Sequence, residues 1–276
     1  MIKILLDSAS DCDISGKQDH CFVPLTVSVG GKDYLDGVDI NKQNFYELLL
    51  NGNEFPKTSQ PSPQTFVELF EQVKEAGDEL IYFALSSALS GTFQSAQIAK
   101  GLVDYPGIYL VDTCTVSYGI GIIAEQAVRM CDAGAPAAEI VQAAEELKKK
   151  IRIIAAVDTL KYLYRGGRLS RGAAAVGSVA GVKPIITVSQ EGTVSILGKS
   201  LGTGRAMKQL LKMLAGIEID EQYPIDTLFT FGETNCADLE KQLTNEGYRL
   251  GSRLQIGSAI GAHVGPGAYG VLFVER

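Results

Sequence analysis

Histidine is the scarcest of the residues that bind metals or transfer protons in this sequence. The 276-residue chain has two, His20 and His263, and neither has another good metal ligand within four residues in a recognisable pattern. Zinc sites need clustered His, Cys or carboxylate ligands, so we predict no metal site. The five cysteines are an odd number and form no CxxC pair, which indicates reduced, packed thiols rather than a disulfide framework.

Positive charge is also in deficit. Lysine and arginine number 25 against 32 acidic residues, which leaves a net charge of -7, and the cations are scattered along the chain. A nucleic-acid-binding surface needs a basic stripe that neutralises phosphates, so we predict no nucleic-acid partner. The sequence also lacks a G-x-x-x-x-G-K-[ST] phosphate-binding loop, and the chain therefore has no evident means of holding ATP itself.

Long apolar runs are absent. The first stretch reaches Asp7 after six residues, too early for the apolar core of a signal peptide, and no apolar run of about eighteen residues occurs elsewhere. We therefore expect no integral membrane segment and a cytoplasmic location. With 46% apolar and 21% charged residues, the chain is able to bury a large core in one large domain or two smaller ones.

The first 150 residues alternate strand-like runs with amphipathic helical patterns. ELIYFAL and GIYLVD are each followed by a loop and a helical pattern, which is typical of βαβ units in a parallel sheet. PLTVSVGGKDYLDG alternates apolar and polar residues before a Gly-Gly turn and predicts a hairpin or an edge strand. One helix is predicted to begin at Pro63 behind an Ser62 cap, and another to span residues 138–151.

The pattern changes after residue 150. PIITVSQEGTVSIL contains two runs joined by a Gln-Glu-Gly turn, which predicts an antiparallel pair. The last runs, RLQIGSAIGAHVG and YGVLFVER, are interpreted as strands, with His263 in a glycine-rich turn between them. We predict an α/β fold of two domains: residues 1–150 form a parallel-sheet α/β domain, and residues 151–276 form an α+β domain with a mixed or antiparallel sheet.

One motif favours a serine hydrolase. GKSLG at residues 198–202 matches G-x-S-x-G, and Asp226 or Asp238 followed by His263 supplies the order Ser, Asp, His. The preceding strand, however, belongs to a tight hairpin, whereas a nucleophile elbow needs a central strand of a parallel sheet. Ser200 therefore has the motif without its context, and an ordinary strand-to-helix turn is the simpler interpretation.

A hydroxyl-rich loop carries the strongest local signal. LSSALSGT, residues 85–92, follows a predicted strand and precedes a predicted helix, so that Ser90, Gly91 and Thr92 lie at the N-terminal edge of that helix. Free backbone N–H groups and the positive end of the helix dipole favour an anion there. For one such loop considered alone, simple N-capping is the favoured explanation.

A second hydroxyl-bearing loop strengthens the interpretation. KTSQPSP places Thr58 and Ser59 just before another capped helix. Loops that follow neighbouring strands of an open α/β sheet meet outside the carboxyl ends of those strands, where ligands bind. Phosphate sites usually recruit Lys or Arg, and these two loops contain only Lys57. The pair therefore predicts a site that recognises a singly charged carboxylate.

Several motifs, in order, are shared with a known family. The sequence resembles the DegV family of bacterial fatty-acid-binding proteins, which includes the FakB-type subunits of fatty acid kinase systems. The resemblance extends over essentially the whole chain. The matching motifs are DSASD near the start, TSQPSP (58–63), LSSALSGTFQSA (85–96), VDT with VSYGIG (111–121), GGRLS (166–170), KPII (183–186), GRA (204–206) and HVGPGA (263–268).

The resemblance implies a long-chain fatty acid held between the two domains, with no cofactor. It assigns the carboxylate contacts to Thr58 and Ser90, the two loops already singled out, and places His263 close to the carboxylate. It also implies that Arg205 helps to engage a separate ATP-dependent kinase, with Arg168 as a weaker candidate. The chain would then be a lipid-binding, substrate-presenting subunit and not the catalyst, and the acyl phosphate would enter phospholipid synthesis.

Two alternatives stay open at this point. One is a hydrolase that uses Ser200 or Ser90 with His263, and the other is a sensor of a small carboxylate, which requires a small pocket. The sequence also departs from the family pattern in AMKQL after the GR dipeptide and in SRGAAAVGSVAGV at residues 170–182. These departures are expected to alter the shape of the tail pocket and not the chemistry.

Overall fold

A computed structural model of the protein describes residues 1–12, 20–52, 54–169 and 181–276. Its strands, in chain order, are β1 (Ile2–Asp7), β2 (His20–Val23), β3 (Thr26–Val29), β4 (Lys32–Leu35), β5 (Lys57–Ser59), β6 (Glu79–Ala84), β7 (Ile108–Asp112), β8 (Ile151–Ala156), β9 (Val182–Val188), β10 (Val194–Leu201), β11 (Ile225–Phe229), β12 (Leu250–Gln255) and β13 (Tyr269–Val274). The α-helices are α1 (Lys42–Asn51), α2 (Pro63–Ala76), α3 (Thr92–Val103), α4 (Tyr118–Asp132), α5 (Ala137–Leu147), α6 (Lys161–Arg165), α7 (Thr203–Leu214), α8 (Thr234–Asn245) and α9 (Ser258–Val264).

The first half of the chain is built on a parallel sheet, as the βαβ pattern predicted. Its four strands lie in the order β2-β1-β6-β7, and every pairing is parallel. Successive side chains of a strand point to opposite faces, and β1 shows the result. Leu5 packs with α2 and α3, whereas Ile4 and Leu6 pack with α4 and α5. Both faces of the sheet are therefore covered by helices.

Local predictions in this half are mostly confirmed. The β3–β4 hairpin turns through Gly30 and Gly31, whose φ values of 60° and 75° suit a two-residue hairpin turn. The α2 helix begins at Pro63, and the Ser62 Oγ accepts a hydrogen bond from the N–H of Thr65, the third residue of the helix, at 3.2 Å. The predicted 138–151 helix is wrong at its end, because α5 stops at Leu147. Ile151 instead opens β8 and pairs with β13.

The second half forms a six-stranded mixed sheet in the order β10-β9-β8-β13-β11-β12. Its ladders are antiparallel except for the parallel β11–β12 pair, and the predicted β9–β10 hairpin is present. One face is covered by α7 and α8, whose apolar side chains pack on β8, β11 and β13. The predicted α/β fold, with a parallel N-terminal sheet and a mixed C-terminal sheet, is confirmed.

The segment around His263 corrects the sequence interpretation. Residues 258–264 form the short helix α9 and not a strand followed by a turn. Ala259 and Ala262 are buried on one face of α9, and at Gly261 an added Cβ would overlap the side chain of Tyr46. Close packing of small residues on α1 therefore stabilises a helix where local apolar spacing favoured a strand.

Among the described residues, the two halves share no strand pairing. Each ladder there joins strands of one half, either β1 to β7 or β8 to β13, and the domain boundary near residue 150 remains a prediction. Contacts that cross it include the packing of α9 on α1, β3 and β5 and the hydrogen bond that Ser86 Oγ donates to the Gly192 carbonyl at 2.8 Å. No helix within the described ranges is long and apolar enough to span a bilayer.

Candidate functional site

A cavity lies between the carboxyl end of the parallel sheet and the open face of the mixed sheet. It encloses about 920 Å³ of space between protein atoms, with the open solvent at its mouth included. Both halves contribute to walls that are mostly apolar. The apolar lining comprises Leu25, Leu85, Leu89, Val116, Ile153, Ala155, Leu163, Ile186, Val188, Val194, Leu228, Ile256, Ala259, Ile260, Val264, Ala268 and Gly270.

One row of side chains forms a trough in the floor of this cavity. Ile186, Ala155, Gly270 and Leu228 are directly paired across β9, β8, β13 and β11, and paired residues point to the same face of a sheet. The two central residues are the smallest of the four. A Cβ added at Gly270 would come within 2.7 Å of the Ala155 Cβ, so the trough is preserved only with glycine there. A slim apolar chain fits such a floor.

Both predicted hydroxyl loops reach the polar end of the cavity. Thr58 and Ser90 line it, but they come from different sheets. The expectation that the loops follow neighbouring strands of the parallel sheet is wrong for Thr58, which lies on β5 of a three-stranded antiparallel sheet ordered β4-β3-β5. That sheet packs on the same hydrophobic core as α1 and α9. Its packing there brings Thr58 near the carboxyl end of β6.

Gln60 holds the two loops together, a role that sequence reasoning missed. Its Nε2 donates to Ser95 Oγ of α3 at 2.9 Å. The same side chain lies against Gly91, where an added Cβ would overlap it. Ser90 is fixed in turn by its neighbour, because its Oγ lies 2.8 Å from Thr92 Oγ1. Both hydroxyl loops are therefore locked before any ligand binds.

Four of the predicted residues lie outside the cavity lining. Gly91 is the N-cap of α3, Thr92 is buried as its first residue, and Ser59 is exposed. Arg205 is exposed in the first turn of α7. The polar residues of the lining include instead Thr58, Ser90, Ser117, Arg168, Thr187 and His263, and we call the part of the cavity around Thr58, Ser90 and His263 its head end. Gly91 and Thr92 shape the Ser90 loop, and Arg205 is free to contact a second molecule.

His263 is hydrogen-bonded to one of the two predicted hydroxyls. It lies in the last turn of α9, and its Nε2 is 2.8 Å from Thr58 Oγ1. Its Nδ1 is buried, with no hydrogen-bond partner among the described residues. We assign the neutral tautomer with the proton on Nε2, because a bare Nδ1 is then an unused acceptor and not a buried, unpaired N–H. Thr58 Oγ1 accepts the hydrogen bond from this N–H, and its own O–H is then free to donate to a ligand.

The imidazole of His263 is expected to stay neutral from pH 8 down to about pH 5. Burial, and then the charge of Arg168, lower its pKa from 6.5 to about 4. The measurement is an NMR titration of the imidazole signals, assigned with a His20→Asn variant. A His263 midpoint near 6.5 would contradict the buried, neutral assignment.

Thermal stability is a poorer measure of the same group. A lowered histidine pKa makes the folded state lose stability as pH falls from 6.5 towards 4, because only the unfolded chain takes up the proton. Burial raises the pKa of Asp7 to about 6 and that of Asp11 to about 7. Those carboxyl groups stabilise the fold at low pH and lose that contribution as pH rises. Over the same pH range, the contribution of His263 to stability rises with pH, whereas the contributions of Asp7 and Asp11 fall. The melting temperature therefore mixes these groups, and only the imidazole NMR signal reports His263 alone.

Arg168, which belongs to neither hydroxyl loop, also lines the cavity. Arg168 Nε donates to the Leu89 carbonyl at 2.8 Å, and Nη1 donates to the Gly166 carbonyl at 2.6 Å. Burial lowers the pKa of this guanidinium, which nevertheless stays charged at physiological pH. Arg168 is the one cation among the described residues of the lining. The site thus offers hydroxyl donors and a single positive charge, which suits a ligand with one negative charge.

The hydrolase geometry is not assembled. Ser200 lies on β10, antiparallel to β9, and its Oγ donates to the Gln209 side chain. Ser200 is absent from the cavity lining, and the Nε2 of His263 faces Thr58. No group of His, Cys, Asp and Glu side chains suitable for a metal ion occurs in the part of the chain that the structure describes. Of the sequence departure at residues 170–182, residues 170–180 lie outside the described residues.

Comparisons with known proteins agree with the fold and with the motifs. A family model described as an uncharacterised protein of the DegV family matches residues 1–276. A DegV domain-containing protein of Caldanaerobacter subterraneus is 38% identical over 279 residues, which cover 100% of this chain and 99% of the relative.

Two solved structures show the same architecture. A DegV family protein from Thermus thermophilus, described by its fatty acid binding, is 29% identical, with a TM-score of 0.87 and coverage of 100% of this chain and 99% of that one. A stearic acid-binding protein from Eubacterium ventriosum is 27% identical, with a TM-score of 0.86 and coverage of 100% and 98%. Because the family model matches residues 1–276 of the chain, this protein belongs to the DegV family.

Proposed function

We propose that the protein binds a long-chain fatty acid in its cavity and presents the carboxylate to a separate ATP-dependent kinase. One observation carries the proposal. The apolar trough at Ala155 and Gly270 lies in the same cavity as the polar residues Thr58, Ser90 and Arg168. Fatty acid binding in the related Thermus thermophilus protein supports it. The acyl phosphate made by the kinase would enter phospholipid synthesis.

The apolar tail supplies most of the affinity. Burial of roughly fourteen methylenes at ~0.8 kcal/mol each contributes ~11 kcal/mol before the losses of association and ordering are subtracted. The apolar lining runs across four paired strands, β9, β8, β13 and β11, whereas a small carboxylate would leave most of that lining without a contact. The extent of the apolar lining therefore favours a long-chain ligand over a small one.

The polar end orients the head group. A buried carboxylate without partners is costly, so it needs donors. We assign these donors to the hydroxyls of Thr58 and Ser90, which line the cavity, and the charge of Arg168 would favour the ionised form of the carboxyl group. Two hydroxyl donors leave carboxylate lone pairs unused. One of those oxygens is available to attack the γ-phosphorus of ATP, with ADP as the leaving group and an acyl phosphate as the product.

The phosphoryl transfer is assigned to another protein because this chain has no P-loop. Arg205, exposed on α7 and without an ion-pair partner among the described residues, is proposed to contact that kinase. Without a kinase, fatty-acid-loaded protein incubated with ATP and hydroxylamine is then expected to give no acyl hydroxamate. It should give the product when a fatty acid kinase is added.

Extraction is the direct test of the binding proposal. Protein purified without added lipid, extracted with organic solvent and analysed by mass spectrometry, is expected to release about one long-chain fatty acid per chain. Protein that carries none, and takes up none after delipidation and incubation with oleate, would refute the proposal. A fluorophosphonate probe separates the hydrolase alternative, since covalent labelling of Ser200 or Ser90 would support a serine hydrolase.

A further inference from the structure

The segment that leads from β12 into α9 is held by side chains of the first half of the chain. Its carbonyl groups accept two hydrogen bonds from α1. Lys42 Nζ donates to the Gln255 carbonyl at 2.8 Å, and Tyr46 Oη donates to the Ile256 carbonyl at 3.0 Å. Both donors lie more than 200 positions away in the sequence, so these contacts join the two halves.

The amide groups of the same segment are met by two carboxylates. The Gly257 N–H donates to Asp11 Oδ1 at 2.7 Å, and the Ala259 N–H donates to Asp36 Oδ2 at 3.2 Å. Ser117 Oγ donates to the other oxygen of Asp11. We call Asp11, Asp36, Lys42 and Tyr46 the α9 clasp.

The clasp is made of groups that a core normally avoids. Asp11 and Asp36 are only 7% and 4% exposed, and an isolated buried carboxylate is strongly disfavoured. Lys42 Nζ compensates by bonding the Asp11 carbonyl at 3.0 Å and Tyr118 Oη at 2.8 Å. The first N–H groups of a helix have no partner within the helix. Apolar side chains here would leave the N–H groups of Gly257 and Ala259 unpaired, whereas two fixed acceptors define one position for them.

The helix that begins in the clasp carries part of the ligand site. Ala259, Ile260, His263 and Val264 all line the cavity. From Ala259 to His263 is about one helical turn, roughly 6 Å at 1.5 Å per residue. A helix this short moves as a unit, so a displacement at its first turn also displaces His263. The 2.8 Å contact between His263 and Thr58 tolerates little movement.

We propose that Asp11 and Asp36 are positioning residues for the head end of the cavity. By holding the first turn of α9, they keep His263 hydrogen-bonded to Thr58 and thereby keep the Thr58 O–H directed at the ligand. The ligand part of this inference rests on the proposed fatty-acid function, whereas the placement of His263 does not depend on it.

The test compares Asp11→Ala and Asp36→Ala with Asp226→Ala as a matched control. Asp226 also accepts one backbone N–H through a carboxylate oxygen, from Ser252 at 2.7 Å, and it does not line the cavity. The measurements are the NMR titration midpoint of His263 in lipid-free protein, the rate of oleate release from loaded protein, and the melting temperature.

Both clasp variants are expected to raise the His263 midpoint by at least one pH unit and to speed oleate release about tenfold. The control should lower the melting temperature without either effect. An unchanged His263 midpoint in both clasp variants, or the same shift in the control, would overturn the proposal. If neither alanine variant folds, Tyr46→Phe is the deciding variant. It removes one hydroxyl and should also raise the titration midpoint of His263.

The two proposals fail in different ways. If wild-type protein binds no oleate, the release measurement is lost with the proposed function. The His263 midpoint in lipid-free protein still decides whether the clasp positions the imidazole. If oleate binds normally and the midpoint does not respond to either clasp variant, only the positioning role is wrong.

Discussion

Replacement of Thr58 by valine together with Ser90 by alanine is expected to lower the affinity for a long-chain fatty acid by about 30- to 10⁴-fold. In the proposed site, each removed hydroxyl leaves a buried carboxylate oxygen without its donor, a loss of about 1–3 kcal/mol per group, and tenfold in affinity corresponds to about 1.4 kcal/mol. The measurement is displacement of a fluorescent fatty acid from delipidated protein by oleate.

Ser59→Ala is the matched control for this double variant. Ser59 lies on the same strand as Thr58 and is exposed outside the cavity, so its removal should leave the affinity within about twofold of wild type. The double variant should also retain its fold, because Thr58 on the short strand β5 and Ser90 in its loop are only partly buried and lie outside the core. Wild-type affinity in the double variant would show that the carboxylate binds elsewhere.

Much of the head end of the site could be predicted because its signals are local. The Ser62 cap, the Pro63 helix start and the hydroxyls around Ser90 are properties of a few consecutive residues, and each was found where it was expected. The β3–β4 hairpin and the parallel sheet were likewise encoded in alternation and spacing. Short-range backbone chemistry determines these features, so sequence patterns report them.

The α9 helix could not be predicted for the opposite reason. Its seven residues are too few to be stable alone, and the groups that stabilise its start, Asp11 and Asp36, are distant in sequence. Arg168 shows the same limit. Its motif was visible, but its entry into the cavity depends on the carbonyls of Leu89 and Gly166. Tertiary contacts override local preference at both places.

The shape of the cavity floor is a still less local property. Ala155 and Gly270 form its trough only because β8 and β13 pair in one register, and a shift of one residue would turn both to the other face. No pattern in either strand indicates that register. Ala155, which was not singled out from the sequence, is therefore the residue at which the proposed tail site can be altered without a change at Thr58 or Ser90.

Ala155→Phe is expected to lower the affinity for C16 and C18 fatty acids by about 10²- to 10³-fold while leaving octanoate binding within about threefold. Ala155 is 8% exposed and lies in the middle of the trough, so a phenyl ring there occupies the path of the acyl chain. Exclusion of roughly four or five methylenes removes ~3–4 kcal/mol at ~0.8 kcal/mol each. The measurement is displacement of a fluorescent fatty acid by acids of increasing length.

The dependence on chain length separates a blocked tail from a damaged protein. A variant that is misfolded, or whose head end has moved, should lose octanoate and stearate by the same factor, because both acids share the carboxylate contacts at Thr58 and Ser90. A ring that fills the trough should instead leave affinity rising with length up to the point of obstruction and flat beyond it. Ala155→Leu, with a smaller side chain, should move that point towards longer acids. Equal stearate affinity in wild type and Ala155→Phe would mean that the tail does not cross the floor between β8 and β13, and the assignment of the cavity as the acyl site would then be wrong.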